Sequence, residues 1–334
     1  MTRQCPTGTA LEPRVWRHRR YPERCEVTLQ CQLCTTYTVD AMSSLSWLSA
    51  PRPLTDPVLI VDLTGWIDAG GAARTATEAL IADCEADVVA VFDDDTYIDF
   101  RARRPVMRLV GGVNTHLDWA QITVSIGRDL AGHDVVVVHG PEPDMAWRQF
   151  IREVGDLARR LGVASMAHLG AYPFATPHTR PARLSITTPS HDIVARLPFL
   201  RSDLTVPAGV CAALEHEMHD HGIPALGIWA QVPQYLASVE YPAAAVALLD
   251  GLRTAVDIVV DATDLRAAAI AQASRFDALV ARNDEHEQMV RRLEIAHDSG
   301  VDTMGQIAQP DAELGEMSAD ELGAEVERFL RDQD

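Results

Sequence analysis

The segment that decides the fold is Pro57–Ala73, with the sequence PVLIVDLTGWIDAGGAA. Its first part, Pro57–Leu63, is a nearly continuous apolar run, as expected for a β-strand that is covered on both faces. The run ends in a glycine-rich turn, and Ala72–Ala86 then has apolar side chains at helical spacing. Asp68 stands where its side chain can cap that helix. A buried strand followed directly by a helix is typical of α/β proteins.

The same alternation continues along the chain to about residue 262. Further strands are predicted at Asp87–Phe92, Val135–Val138, Val163–Leu169, Ala182–Thr187 and Ala225–Ala230. Further helices are predicted at Met145–Leu161, Pro207–His221 and Pro242–Ala255. The short segments Met107–Val110 and Gln121–Ile126 are expected to pair around the Gly111-Gly112 turn. This order predicts an α/β fold with a mostly parallel sheet flanked by helices.

Composition and pattern divide the chain into three parts. Residues 1–50 are net basic and have no clear period, which predicts a disordered tail or a start assigned too far upstream, with Met42 as the alternative start. Residues 51–262 are predicted to form the α/β core domain. Residues 263–334 are predicted to form a helical C-terminal subdomain, in which the polar linker Val301–Gly315 precedes a short last helix that begins at a capping box, Ser318–Glu321.

Composition also excludes several classes of function. The net charge of −19 disfavours nucleic acid and anionic membrane surfaces as partners. No apolar run is long enough to cross a bilayer, and the arginines near the N-terminus are not followed by the apolar core of a secretory signal, so we expect a cytoplasmic protein. All 29 basic side chains are arginine, which excludes Schiff-base chemistry and a P-loop lysine. No cofactor is predicted.

Two patterns resemble metal sites but lack part of the required spacing. Cys31-x-x-Cys34 is not followed by a second pair of the same kind. In the segment around Glu217, His216 and His219 are three residues apart, whereas the zinc motif H-E-x-x-H places its histidines four residues apart. No metal site is predicted.

Unusual clusters follow the predicted strands, at the edge where α/β proteins bind ligands and partners. After the first strand, Gly70 and Gly71 open a helix whose free N–H groups and dipole favour an anion. The alternative is a tight turn that requires small residues. After the second strand, Arg101, Arg103 and Arg104 predict either a clamp for a phosphate or carboxylate, or ion pairs with nearby aspartates or a neighbouring subunit.

A carboxylate pair follows the strand Val135–Val138. Glu142 and Asp144 are suited to hold a metal or to divide acid and base roles between them. Asp144 also stands where it can cap the helix that begins at Met145, and we expect it to do so. Glu142 is then the stronger candidate for a functional role.

A proline-bounded loop and a tyrosine complete the candidates. The segment Pro177–Pro181 contains His178 as a general acid or base, with Thr179 and Arg180 positioned to hold an anion beside it. The alternative is a loop whose polar side chains satisfy its own backbone. Tyr235 follows the strand Ala225–Ala230 and is predicted to stack on a ligand or to pack in the core or a subunit interface.

Six short motifs in these loops resemble, in the same order, the actinobacterial branch of the proteasome assembly chaperone 2 family. They lie in Gly65–Ala73, Asp99–Pro105, Gly140–Trp147, Pro177–Pro181, Val232–Ala237 and Tyr241–Ala245. The resemblance extends from about Pro53 to Glu294. It implies an α/β core with a helical C-terminal portion, and it implies self-association.

The resemblance implies a role in assembly. Eukaryotic relatives are scaffolds that guide assembly of proteasome α-subunits and engage their partners by a C-terminal hydrophobic-Tyr-x tail, which the residues Leu330–Asp334 do not match. Our leading hypothesis is a non-catalytic binding or assembly protein that acts on protein partners and forms homo-oligomers. The alternative is a small-molecule enzyme or binder for an anionic phosphate or carboxylate ligand at the strand-end loops.

Overall fold

The computed structural model describes residues 44–299, which form a large β-sheet with helices on both faces and a separate hairpin. The strands are β1 (Leu45–Trp47), β2 (Val58–Thr64), β3 (Asp87–Phe92), β4 (Val106–Val110), β5 (Val113–Asp118), β6 (Thr123–Arg128), β7 (Asp134–Pro141), β8 (Ser165–Phe174), β9 (Leu184–Thr187) and β10 (Ala225–Pro233). The helices are α1 (Ala72–Asp83), α2 (Asp94–Tyr97), α3 (Trp147–Leu161), α4 (His191–Arg196), α5 (Val210–Asp220), α6 (Pro242–Val256), α7 (Thr263–Val280) and α8 (Asp284–Asp298). No helix in this range is long and apolar enough to cross a membrane.

The large sheet has eight strands in the order β1-β3-β6-β7-β2-β8-β10-β9. The four central strands, β7, β2, β8 and β10, are parallel to their neighbours in this set. On one side β6, β3 and β1 follow in antiparallel pairs, and on the other side β9 is antiparallel to β10. The predicted α/β fold is confirmed, with a parallel centre and antiparallel margins.

Helices cover both faces of the central strands, which explains their continuous apolar runs. On β2, Val58 and Ile60 belong to the core cluster under α1 and α6, whereas Leu59 and Val61 belong to the cluster under α3 and α5. We call these two sides the α1 face and the α3 face. Full burial of each such side chain contributes roughly 1.5–3 kcal/mol to folding.

The predicted C-terminal helices are present as α7 and α8, and they pack on the α1 face. Phe276, Leu279 and Val280 of α7 and Val290 of α8 belong to the same core cluster as the buried residues of α6. The C-terminal helices therefore share the core of the large sheet. The linker and the last helix predicted after residue 300 lie outside the described residues.

β4 and β5 form a two-stranded hairpin outside the large sheet. The prediction that Met107–Val110 pairs with Gln121–Ile126 is wrong, because β4 pairs with β5 and β6 joins the large sheet between β3 and β7. Gly111 and Gly112 have positive φ angles of 58° and 82°, which permit a tight two-residue turn. Such a turn connects strands that are immediate neighbours in sequence.

Two boundaries differ from the sequence-based expectation. Leu45–Trp47 falls in the segment predicted as an N-terminal tail, yet it pairs antiparallel with β3, so the sheet begins before residue 51. The remainder of that segment, residues 1–43, lies outside the described residues. α5 begins at Val210 rather than at Pro207, after a residue in extended conformation, Gly209.

Candidate functional site

The loops that follow β2, β7, β8 and β10 lie at one edge of the sheet, which we call the rim. Asp68 forms a parallel β-bridge with Ala171, which joins the loop after β2 to β8. The Gly70 N–H donates to the Ala237 carbonyl at 2.7 Å and joins the same loop to the segment after β10. The Glu142 N–H donates to the carbonyl of the last residue of β2, also at 2.7 Å. The predicted clusters therefore do lie at a common edge.

Asp68 caps α1, as predicted from the sequence. Its carboxylate accepts hydrogen bonds from the Ala73 N–H at 2.8 Å and the Arg74 N–H at 3.1 Å. Burial raises the pKa of Asp68, and these two N–H groups act in the opposite direction. The partial positive charge at the helix N-terminus is thus met by a carboxylate of the chain itself.

Gly70 and Gly71 form a tight turn between β2 and α1, with φ angles of 63° and 56°. The Gly71 N–H donates to the Asp68 carbonyl, and the Gly70 carbonyl accepts from the Tyr241 N–H at 2.9 Å. A Cβ atom on Gly70 would lie 2.7 Å from the Cβ of Tyr241. The turn interpretation agrees with this geometry, whereas the anion-binding interpretation does not, because the N–H groups of the turn already have acceptors.

Arg103 is the arginine of its cluster that contacts the rim. Its Nε lies 3.1 Å from both carboxylate oxygens of Asp144, and its Nη2 donates to the Glu142 carbonyl at 3.3 Å. Arg101 and Arg104 are exposed near the base of the hairpin. The ion-pair alternative holds for Arg103, with Asp144 as the partner in place of the aspartates nearer in sequence.

The expectation that Asp144 caps α3 is wrong. The residue before α3 is Ala146, in a left-handed conformation with φ of 55°, and its side chain makes no capping bond. The Asp144 carboxylate instead accepts the Asp99 N–H at 3.0 Å and pairs with Arg103. Asp144 therefore ties the loop after β3 to the loop after β7.

Glu142 caps a helix that is remote in sequence. Its Oε1 accepts the Val210 N–H at 2.7 Å, at the first residue of α5. A Cβ on Gly209 would lie 3.0 Å from the same oxygen and 3.3 Å from the Trp66 ring, so the three groups are in close contact. The carboxylate of Glu142 is engaged in joining α5 to the rim.

His178 lies buried between the loop after β8 and α7. Its backbone N–H donates to the Tyr235 hydroxyl at 2.9 Å, and its Nδ1 lies 2.7 Å from the same hydroxyl. Since that hydroxyl has one proton to give, it donates to Nδ1, and Nε2 donates to Asp277 Oδ1 at 3.3 Å. Burial lowers the pKa of His178, with Asp277 opposing this effect.

Thr179 and Arg180 hold α8 against the rim. The Thr179 hydroxyl donates to Glu294 at 2.6 Å, and Arg180 pairs with Glu294 at 3.0 Å and with Asp298 at 2.7 Å. The Arg180 guanidinium holds the pKa of the Asp298 carboxyl at about 2. A small cavity of about 300 Å³ lies between this loop and the two C-terminal helices.

The candidate residues thus fall into two sets within the rim. One set, Arg103, Glu142 and Asp144, joins loops to α5 on the α3 face; the other, around His178 and Arg180, joins the loop after β8 to α7 and α8. Tyr235 belongs to the second set and is 4% exposed, so it packs in the core. Residues 44–299 contain no group of three side chains suited to hold a metal ion.

Sequence reasoning missed the buried polar groups of the sheet itself. His168 of β8 lies with its Nε2 2.7 Å from Glu215 Oε1 of α5, and Thr187 donates to the same oxygen at 2.6 Å. Asp62 of β2 and His139 of β7 are also at least half-buried. A charged residue inside an apolar strand was the signal available, since such a residue requires a partner.

Comparison with known protein families finds a match to one family. The PAC2 family matches residues 63–280, which include the rim. A proteasome-assembly chaperone homologue from Mycobacterium tuberculosis is 33% identical, with a TM-score of 0.65 over 70% of this chain and 99% of that one. A PAC2 family protein from Streptomyces avermitilis is 34% identical, with a TM-score of 0.64 over 70% and 100%.

A third solved structure covers more of the chain. A protein of unknown function from Mycobacterium tuberculosis is 32% identical, with a TM-score of 0.71 over 79% of this chain and 94% of that one. No curated protein matches significantly. The resemblance seen in the six sequence motifs is confirmed: the chain belongs to the PAC2 family.

Proposed function

We propose that this chain is a non-catalytic binding and assembly protein that acts on protein partners in the cytoplasm and associates with itself. The observation that carries the proposal is the hairpin β4–β5, whose apolar side chains are in solvent. They are between 50% and 67% exposed: Val106, Met107, Leu109, Val110 and Val113.

An isolated hairpin with this many exposed apolar side chains is energetically unfavourable in water. A two-stranded hairpin is marginally stable alone, and clustered exposed apolar side chains mark interaction surfaces. Its strands also offer unpaired backbone groups to another chain. Arg101, Arg104 and Arg108 add positive charge at the same place, in a protein of net charge −19. The hairpin is therefore complementary to an apolar surface with an acidic border. We propose that a second copy of this acidic chain provides that surface.

The relatives support the same proposal. One structure that is 33% identical is described as a proteasome-assembly chaperone homologue. An assembly protein needs surfaces for its partners and no catalytic constellation. The alternative, an anionic ligand at the strand-end loops, has less support, since Arg103 and Arg180 already pair with carboxylates of the chain.

The substitution Leu109→Arg tests the proposal. We expect the wild-type chain to form an oligomer in size-exclusion chromatography with light scattering, and the variant to shift to the monomer mass. Ile270→Arg, which changes an exposed apolar residue of α7, is the matched control and should keep the oligomer. A wild-type chain that stays monomeric at all concentrations, or a variant that still associates, would contradict the role of the hairpin.

A further inference from the structure

A surface cavity of about 600 Å³ lies where the hairpin β4–β5 leaves the large sheet, and we call it the foot cavity. Phe100 precedes the hairpin and Trp119 follows it, and both rings line the cavity. The other lining residues are Ser44, Ser46, Val91, Phe92, Asp93, Asp94, Asp95 and Gln121. Pockets for small ligands measure roughly 300–1,000 Å³, so the foot cavity has room for several side chains of a partner.

The wall of the foot cavity includes aromatic rings that remain in contact with solvent. Trp119 is 51% exposed, and Phe100 is half-buried. The two rings meet edge to face, with their centroids 4.8 Å apart. Aromatic faces attract apolar side chains and also the guanidinium group of arginine, and tryptophan is enriched among the residues that dominate binding energy in protein interfaces. This wall is therefore suited to a partner that carries both kinds of side chain.

Three consecutive carboxylates form the border of the foot cavity. The Thr96 hydroxyl donates to Asp93 at 2.6 Å, and the Gln121 amide donates to Asp94 at 3.4 Å, but no arginine among residues 44–299 pairs with Asp93, Asp94 or Asp95. Burial raises the pKa of Asp94, and the charges of Asp93 and Asp95 raise it further, while the Gln121 amide acts in the opposite direction. A cation brought to this border would reduce the repulsion among the carboxylates.

The hairpin carries the groups that complement this cavity. Three arginines on the hairpin or beside it are exposed, and their guanidinium groups pair with no carboxylate among residues 44–299: Arg101, Arg104 and Arg108. On β4, Arg108 stands between the exposed apolar residues Met107 and Leu109. Asp118 is the one carboxylate of the hairpin, and it pairs with His116 at 2.8 Å. The hairpin therefore presents apolar side chains and unpaired positive charge together.

The hairpin does not fill the foot cavity of its own chain. None of the described residues that line the cavity belongs to β4 or β5. β4 has five residues that each rise about 3.4 Å, so the Gly111-Gly112 turn lies roughly 17 Å from the start of the strand. The apolar side chains of β4 are exposed along this length. An occupant of the foot cavity must therefore come from another molecule.

A second copy of the chain supplies an occupant that matches in charge and in apolar character. Every copy has one hairpin and one foot cavity, so each copy can insert a hairpin and receive one. Contacts between two different surfaces of this kind build closed rings where the rotation between copies permits closure. Opposite charges on the two surfaces also bring copies together in the correct orientation, although the chain as a whole is acidic.

We infer that the hairpin β4–β5 of one copy docks on the foot cavity of a second copy. The apolar side chains of the hairpin pack on Phe100 and Trp119, and Arg108 meets the carboxylate border at Asp95. This inference rests on the proposed function, because it names the surface of the second copy that receives the hairpin.

Charge reversal tests the inference in the full chain, with the dissociation constant of the oligomer measured by light scattering over a range of concentrations. Asp95→Arg and Arg108→Asp should each weaken association at least tenfold, because each places like charges opposite one another. The variant that combines both changes should associate more tightly than either single variant, since it restores an opposite pair. Asp220→Arg reverses an exposed carboxylate at the last residue of α5, and as the matched control it should associate as the wild type does.

Leu109→Arg distinguishes a failure of this inference from a failure of the proposed function. If Leu109→Arg gives monomers while Asp95→Arg and Arg108→Asp associate as the wild type does, the hairpin binds another surface, and only the inference is overturned. A combined variant that associates no more tightly than the single variants would also overturn it. A wild-type chain that stays monomeric at all concentrations would overturn the inference and the proposed function together.

A titration with agmatine tests whether the foot cavity serves a free organic cation instead. If the wild type binds agmatine, Asp95→Arg does not, and both associate equally well, the cavity has that other occupant and the inference is overturned. Circular dichroism checks that each variant is folded. Arg108→Asp, which changes an exposed residue of the hairpin, carries the test if Asp95→Arg is not folded.

Discussion

The rim and the hairpin β4–β5 use their side chains in opposite ways. At the rim, Arg103 and Arg180 pair with carboxylates, and the Gly70 and Gly71 N–H groups have backbone acceptors. On the hairpin, five apolar side chains are exposed. The loops that look most like a site in the sequence therefore hold the molecule together. The hairpin, which carries no catalytic motif, has the surface that lacks a partner among the described residues.

The comparison also separates two kinds of glycine. Gly70 at the rim and Gly111 in the hairpin both have positive φ, at 63° and 58°. A Cβ on Gly70 would meet Tyr241 at 2.7 Å, whereas a Cβ on Gly111 would have no heavy atom within 4 Å. Both positions therefore require a residue that tolerates a positive φ. Only Gly70 also requires the absence of a side chain, because its surroundings are closely packed.

The substitution Gly70→Ala is expected to have the largest effect on stability. The added methyl both overpacks against Tyr241 and occupies a left-handed conformation, which together cost about 4 kcal/mol. Gly111→Ala meets only the conformational penalty and should cost about 1 kcal/mol. Denaturant unfolding measures both values. Equal losses at the two positions would contradict the distinction between a packed rim and an open hairpin.

The second prediction concerns the buried charge beneath the rim. Because the pKa of Asp62 is raised from 3.8 to about 6, its contribution to stability is fully present below pH 3.8 and is lost as the pH rises through about 6. Asp62→Asn should therefore be more stable than the wild type at pH 8, by about 3 kcal/mol. At pH 4 the difference should fall to about 0.5 kcal/mol, which is the internal control. A difference that does not change with pH would show that Asp62 is not the titrating group.

The third prediction has the smallest effect and is local. Arg180→Ala removes the pairs with Glu294 and Asp298, so the amides of α8 should exchange with deuterium faster while those of β2 remain unchanged. Added salt should produce part of the same change in the wild type, since these groups are near the surface. Arg291→Ala, which removes a pair within α8 itself, is the control. If the α8 amides exchange at the same rate in Arg180→Ala as in the wild type, apolar packing alone holds α8 in place.

The central part of the fold was predictable from the sequence because its signals are local. The run Pro57–Leu63 lies between two helical layers, and Val58–Val61 are buried alternately on the two faces. The stop of α3 at Gly162 and the cap of α1 by Asp68 also depend on near neighbours in sequence. The hairpin was mispredicted because a strand pattern does not specify its partner.

The contacts of the site were much less predictable, because they join distant segments. Glu142 caps α5 from 68 residues away, and Arg180 meets its two carboxylates more than 100 residues later. Asp144 was a reasonable cap by position, but Arg103 and the Asp99 N–H bind its carboxylate instead. Contacts across the sheet, such as that of Thr123 on β6 with His139 on β7, become evident only once the order of the strands is known.

The length of the outermost strands has a consequence for how copies of the molecule can join. β1 and β9, which terminate the large sheet, contain three and four residues, whereas β4 and β5 contain five and six. Short margins offer few backbone groups to an incoming chain, and this is a recognised protection against fibril growth. Among residues 44–299, the hairpin therefore offers another copy a longer strand to pair with than either margin of the large sheet does.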